Sequence, residues 1–192
     1  MVILIGLGCW RISTFAENEH NLIVKLQTHQ TPGSIGFFQG VTDSISFVSL
    51  GIPTIFLLTG LIKKNNDLAR KGLLVLLCIG FTGLLSYAVK RTLQVPRPYE
   101  VDSRIAKWSG GTNNSFPSGH TAEATAAALG FSIILFRTRL SIFLAAAWAL
   151  LIMFTRIILG VHSFTDILAG IVVGFMGLLI MQRIFQHFSP EK

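Results

Sequence analysis

The stretch LSIFLAAAWALLIMFTRIILGVHSFTDILAGIVVGFMGLLIMQRIFQ, residues 140–186, decides how this chain folds. It holds two apolar runs, 140–158 and 164–186, each close to the ~20 residues a helix needs to cross a bilayer. At the junction between them sit Arg156, His162 and Asp166. Ionisable side chains at a membrane edge are costly without partners, so they point to function before anything else does.

Working outward, three further apolar runs fall near 41–62, 70–92 and 119–136. The first contains Pro53, which membrane helices tolerate. Small residues such as Ala126, Ala127, Ala128 and Gly130 suit close helix approach. The expected fold is therefore all-α: a polytopic membrane helix bundle of five transmembrane helices in a single domain over 1–192. Its core is 41–186, and 1–40 forms an N-terminal anchor or interfacial region. Met1–Trp10 is apolar but too short to span. It reads either as the start of a sixth span reaching about Phe15 or as a re-entrant anchor. Residues 12–30 mix polar positions with Ile12, Phe15, Leu22, Ile23, Val24 and Leu26, as a helix lying at the interface does.

Composition agrees. Of the 192 residues, 51% are hydrophobic and 13% charged, and mean hydropathy is +0.62. Soluble chains carry roughly 25% charged residues. The net charge of +7 fits membrane topology and attraction to anionic lipids. Nucleic-acid binding is not expected, because the charges lie in short loops between apolar spans. Cys9 and Cys78 sit in apolar runs and read as reduced packing residues.

The connections sort onto two sides. One holds 63–69, 137–139 and the C-terminus. The other holds 93–118, 159–163 and the region before residue 41. Dense basic clusters in the very short loops of the first side favour it as cytoplasmic. The second side then faces the periplasm or exterior, with the chain in a bacterial inner membrane.

The polar residues that spans avoid collect on the second side in three blocks. In TRIILGVHSFTD (155–166), the four-residue spacing puts His162 and Asp166 on one helical face. A carboxylate there fixes the imidazole tautomer and aims the other nitrogen's lone pair, as a nucleophile requires. Taken alone, the pair also reads as the cap of a helix start. In FPSGHT (116–121), Ser118 resembles an N-cap, and Gly119 permits close backbone approach. The helix end attracts an anion, and His120 can donate a proton to a leaving oxygen. An ordinary capped helix with an interfacial histidine fits these residues too. In KRTLQVPRP (90–98), Lys90 and Arg97 join Arg156 as cations near membrane ends. A bound phosphate would balance them, whereas snorkelling explains Arg91 better than these three.

Together the blocks resemble the type 2 phosphatidic acid phosphatases, a group that also includes bacterial acid phosphatases and vanadium haloperoxidases. The family pattern is Lys, six residues, Arg-Pro; then Pro-Ser-Gly-His; then Ser-Arg, five residues, His, three residues, Asp. Here it is matched by Lys90 and Arg97-Pro98, by Pro117-Ser118-Gly119-His120, and by Thr155-Arg156, His162 and Asp166. Thr155 replaces the usual Ser and keeps the hydroxyl. The resemblance covers about 41–186. It implies that His162 attacks phosphorus, that Asp166 orients it, and that His120 protonates the leaving group and then activates water. It further implies that Lys90, Arg97, Ser118, the Gly119 amide and Arg156 hold the phosphate oxygens. It requires no metal and no other cofactor, and two separated histidines offer zinc no evident ligand set.

Arg104, Lys107 and Trp108, in the polar segment 99–116, are possible headgroup contacts, as is Glu123, one turn beyond His120. For the three loop residues, interfacial anchoring is the plainer reading, and for Glu123 a partnership with a nearby cation or water. Asp43 is expected to face the interior.

The expected activity is removal of phosphate from a membrane lipid: phosphatidylglycerophosphate, undecaprenyl pyrophosphate, phosphatidic acid or a lipid A phosphate. The partners are the lipid and the bilayer, with no obligate protein partner inferred. The competing readings are a vanadate-dependent haloperoxidase-like oxidoreductase and a non-catalytic lipid-binding or transport protein.

Overall fold

The computed structural model describes residues 16–111 and 114–188. The proposal for residues 1–15, with Cys9, lies outside them. Among the described residues the chain is helical throughout, with no strand. In order the helices are α1 (Ala16–Gln27), α2 (Pro32–Asp43), α3 (Ile45–Ile62), α4 (Asn66–Leu93), α5 (Pro98–Val101), α6 (Gly119–Gly130), α7 (Arg139–Ile158) and α8 (Phe164–Phe188).

Local chemistry sets the boundaries. Thr31, Asn65, Ser118 and Thr138 cap α2, α4, α6 and α7 by accepting a backbone N–H. Pro32 and Pro98 occupy first helical positions, where a missing N–H costs nothing. Pro53 sits inside α3, as expected of a membrane helix.

Among the described residues, four stretches are long and apolar enough to cross a membrane: Pro32–Ile62, Asn66–Val101, Arg139–Ile158 and Phe164–His187. That is one fewer than the five expected. The missing one is 119–136, which is helical but shorter: α6 has 12 residues, followed by five in π geometry, Phe131–Leu135. The physical reason lies in its composition. GHTAEATAAALG is rich in small residues, and Thr121, Ala122, Ala124–Ala128 and Gly130 are buried. The segment still runs from the Ser118 end of the bundle to the turn before Arg139, as a central packing post between α4, α7 and α8. The first span also begins earlier than residue 41, because α2 and α3 continue each other with an interruption at Ser44.

The core joins Val75, Cys78 and Ile79 of α4 to the alanines of α6, Ala149 and Ile152 of α7, and Leu178 of α8. Outward-facing Phe47, Leu84, Phe143 and Leu150 are exposed. Such an apolar rind is what lipid, not water, would cover. An apolar cleft of about 500 Å³ runs over the π segment, between Val48 and Ile52 of α3 and Leu144 and Trp148 of α7.

At one end of the bundle the blocks of polar sequence meet. Ser115 N–H donates to Val95 O (2.7 Å), Ser118 N–H to Asp166 O (3.0 Å) and Trp108 N–H to Leu159 O (3.1 Å). The N-terminal region reaches the same end, where Gln27 Nε2 donates to Ala106 O (2.8 Å) and Ile158 O (3.0 Å). Gly170 makes the key contact possible. A Cβ there would lie 2.7 Å from Thr121 Cβ and 2.8 Å from Ser118 O, so only glycine lets α8 press against the start of α6.

Candidate active site

His162 lies in the link between α7 and α8 and is buried, as is Asp166 in the first turn of α8. The link turns at Gly160, whose φ of +74° lies in the left-handed region open to glycine. The helix start then orients the carboxylate. Ser163 N–H donates to Asp166 Oδ2 (2.9 Å), while Asp166 N–H donates to Ser163 Oγ (3.4 Å), a reciprocal cap. The same Oδ2 lies 3.4 Å from His162 Nδ1. A carboxylate can only accept, so Nδ1 carries the proton and Nε2 keeps its lone pair. Burial pushes His162 down to about 3, against the upward pull of the hydrogen bond and charge of Asp166; Lys90 and Arg156 push it further down. The ring is therefore neutral near neutrality, as a nitrogen nucleophile must be.

The second block opens α6. Ser118 accepts from Thr121 N–H (3.3 Å) and Thr121 Oγ1 (2.9 Å), so its own hydroxyl proton remains to donate. The Gly119 amide belongs to the first helical turn, where N–H groups have no intrahelical acceptor. His120, the next residue, is half-buried. Burial, and then the charges of Arg156, Arg97 and Lys90, push His120 down to about 3, so an acid proton on it needs an anion beside those cations; Lys90 and Arg156 also act on His162. One cation cluster thus serves both imidazoles.

Each cation is tied down. Lys90 Nζ donates to Asn114 O (2.8 Å) and Ser115 O (3.2 Å). Arg97 Nη1 donates to Val161 O (3.0 Å), one residue before His162, and its guanidinium lies close under Gly111. Arg156 is 2% exposed and donates from Nη1 to Thr42 Oγ1 (2.7 Å) and Ser109 Oγ (3.2 Å). Its Nε is buried with no hydrogen-bond partner among the described residues. A buried guanidinium held by neutral hydroxyls is a site that an anion would complete.

The remaining candidates have other positions. Arg104 forks onto Asp102 (Nε–Oδ1 3.0 Å, Nη2–Oδ2 2.7 Å) and is exposed; its hydrogen bond holds the Asp102 carboxyl down at about 2. Lys107 lies 4.9 Å over the Tyr99 ring. Trp108 pins the loop through its backbone, accepting from Gln39 Nε2 (2.7 Å). Glu123 accepts from Ser49 Oγ (2.5 Å), so its partner is a neighbouring hydroxyl. Asp43 is exposed, contrary to expectation; its charge still acts on Arg156. Sitting at the end of α2, it turns outward while its neighbour Thr42 turns in.

Sequence reasoning missed several supporting residues, Ser115 and Thr42 among them. Ser115 Oγ donates to Asp166 Oδ2 (2.5 Å) and lies 3.4 Å from His162 Nδ1. Thr42 supports Arg156. A serine just ahead of the Pro-Ser-Gly-His block was the one signal available for the first; nothing in the α2 sequence marked the second. Among the described residues, no three His, Cys, Asp or Glu side chains gather as a metal ligand set.

Comparison with known proteins gives a consistent picture. A lipid A 1-phosphatase of Rhizobium johnstonii is 32% identical over 111 residues, covering 55% of this chain; the chain spans only 44% of that relative's length. A lipid A 4'-phosphatase of Porphyromonas gingivalis is 29% identical over 166 residues, covering 83% of this chain and 70% of the relative. In fold the chain resembles the crystal structure of a transmembrane PAP2 type phosphatidylglycerolphosphate phosphatase from Bacillus subtilis. The TM-score is 0.78 at 23% identity, with 100% of this chain and 96% of that one covered. It also resembles LpxE of Aquifex aeolicus, with TM-score 0.69, 23% identity, and coverage of 85% and 93%. These likenesses favour neither the haloperoxidase nor the non-catalytic reading. The model of the PAP2 superfamily matches residues 71–189, which include all three polar blocks, and the chain is an integral membrane protein of that superfamily.

Proposed function

We propose that this protein hydrolyses a phosphomonoester or pyrophosphate on a membrane lipid through a phosphohistidine intermediate. His162 Nε2 attacks phosphorus as the bond to the leaving oxygen breaks, and His120 gives that oxygen its proton. His120 then takes a proton from water, the water oxygen attacks phosphorus, the P–N bond breaks, and inorganic phosphate leaves. Asp166 holds the His162 proton on Nδ1 throughout. Lys90, Arg97, Arg156, the Ser118 hydroxyl and the Gly119 amide stabilise the equatorial oxygens, where charge develops in the transition state.

One observation carries the reading: a buried neutral His162, oriented by Asp166, shares a set of cations with His120. The relatives' activities on lipid A and phosphatidylglycerophosphate support a lipid phosphate as substrate. The site lies at the end of the bundle away from the short basic loops, which supports an inner-membrane enzyme acting at the periplasmic face.

The test is phosphate release in detergent, with EDTA present, from lipid A, phosphatidylglycerophosphate, phosphatidic acid and undecaprenyl pyrophosphate. Release from at least one, abolished by His162→Ala, is expected. Release from none, or release that survives the substitution, overturns the proposal.

A further inference from the structure

The family match begins at residue 71, yet a carboxylate from residue 19 reaches the catalytic helix. Glu19 sits in the first turn of α1, 9% exposed. Its Oε1 accepts from the Thr165 backbone N–H (2.7 Å) and from Thr165 Oγ1. Thr165 is fully buried and immediately precedes Asp166. The first N–H groups of a helix lack intrahelical acceptors, and a carboxylate at that end also meets the positive end of the helix dipole. Glu19 therefore caps α8 from another helix, 146 residues away in sequence. Burying a carboxylate is costly, and its Oε2 has no hydrogen-bond partner among the described residues. A fold that needed only to anchor α1 could rely on Gln27, which already bonds to Ala106 and Ile158.

We infer that Glu19 is a positioning residue for phosphoryl transfer, holding the first turn of α8 so that Asp166 stays in register with His162 and Ser115. This rests on the assignment of His162 as nucleophile. The geometry explains the sensitivity. The His162–Asp166 separation of 3.4 Å is at the outer edge of a hydrogen bond, so a small outward shift of the α8 start breaks it. Glu19 touches neither phosphate nor imidazole, so its loss should act on kcat and not on substrate capture.

The experiment compares wild type, Glu19→Ala, Glu19→Gln and His162→Ala, purified in detergent, on the best lipid substrate of the panel. It measures kcat, KM and the inhibition constant for orthovanadate, which mimics the transition state at His162. Glu19→Ala is expected to lower kcat by about 10²-fold, the scale of a ~1 Å misplacement, and to weaken vanadate inhibition in parallel. KM should stay within about twofold, the signature of an interaction felt only in the transition state. Glu19→Gln keeps an acceptor oxygen and should recover activity to within about tenfold of wild type, the residual being the weaker bond of a neutral acceptor. A Glu19→Ala kcat at wild-type level, a loss seen only in KM, or no recovery with glutamine overturns the inference. Should the alanine variant not fold, Glu19→Gln carries the test: kcat lowered by up to about tenfold at constant KM supports the inference, and wild-type kinetics overturn it. An active His162→Ala removes the nucleophile assignment beneath it; an inactive one beside a fully active Glu19→Ala removes only the role of Glu19.

Discussion

Ser115 Oγ donates a 2.5 Å hydrogen bond to Asp166 Oδ2, joining the loop ahead of α6 to the helix that follows His162. The same serine takes Lys90 on its carbonyl and gives its N–H to Val95. One residue, next in the chain to the second block, thus ties the first and third together. A donor to Asp166 steadies the carboxylate while Asp166 steadies the imidazole, a chain in which each group fixes the next.

Ser115→Ala should leave the fold intact and lower kcat by on the order of 10-fold to 10²-fold, the cost of a loosened supporting contact. Ser115→Thr, which restores the hydroxyl, should recover part of the loss. Steady-state kinetics on both variants checks this; an alanine variant as fast as wild type would refute it.

His162→Ala should abolish turnover and labelling. Phosphoenzyme trapped from the wild type should behave as a phosphoramidate, stable in base and labile in acid. Asp166→Asn should still bind substrate but lose on the order of 10²–10⁴ in kcat, because proton placement on His162 then becomes wrong. Quenched-flow labelling distinguishes the two variants.

Arg156→Lys should be nearly as damaging as Arg156→Ala, because lysine cannot reproduce a planar fork held by Thr42 and Ser109. Loss of one positioned transition-state donor costs on the order of 10²–10³ in rate. Thr42→Val should show a smaller loss in the same direction. Activity assays on the three proteins test the order.

The depressed pKa of His162 predicts a pH dependence of stability. Its folded value, about 3, lies below its unfolded value near 6.5. Between the two the unfolded chain binds the extra proton, so stability is complete above pH ~6.5 and falls as pH drops towards 3. Thermal unfolding in detergent should show this decline, and His162→Gln should flatten it. An unchanged slope in that variant would assign the decline to other groups.

Much of the fold could be read from the chain because lipid imposes a simple rule, that long apolar runs become helices. The exception is instructive. Residues 119–136 read as a span of their own, yet α6 is buried by neighbours, and its Ala and Thr content reflects helix packing, not lipid. The proposed catalytic and cationic residues stood out in the sequence because their spacing within each block is local. Ser115, Thr42 and Glu19 did not, since their partners are 51, 114 and 146 positions away. Only the folded topology says which loop hydroxyl meets which carboxylate.

Gly170→Ala should be far worse than its size suggests. The new methyl would meet Thr121 and the Ser118 carbonyl under 3 Å, costing ~1–3 kcal/mol by overpacking. The Tm should drop, and kcat should fall with it, since the helix starts bearing His120 and Asp166 are forced apart.

That glycine seam has a consequence for anion capture. Thr121 and the Ser118 carbonyl stand where a Gly170 Cβ would be, so the helix starts beside His120 and Asp166 press directly on each other. The loop ahead of α6 supplies the neutral partners of the cations beside that seam. Its backbone carbonyls occupy Lys90, and its Ser109 hydroxyl occupies Arg156. A phosphate at the proposed site would compete with those neutral acceptors for the same two cations, as a charged acceptor outbids an uncharged one.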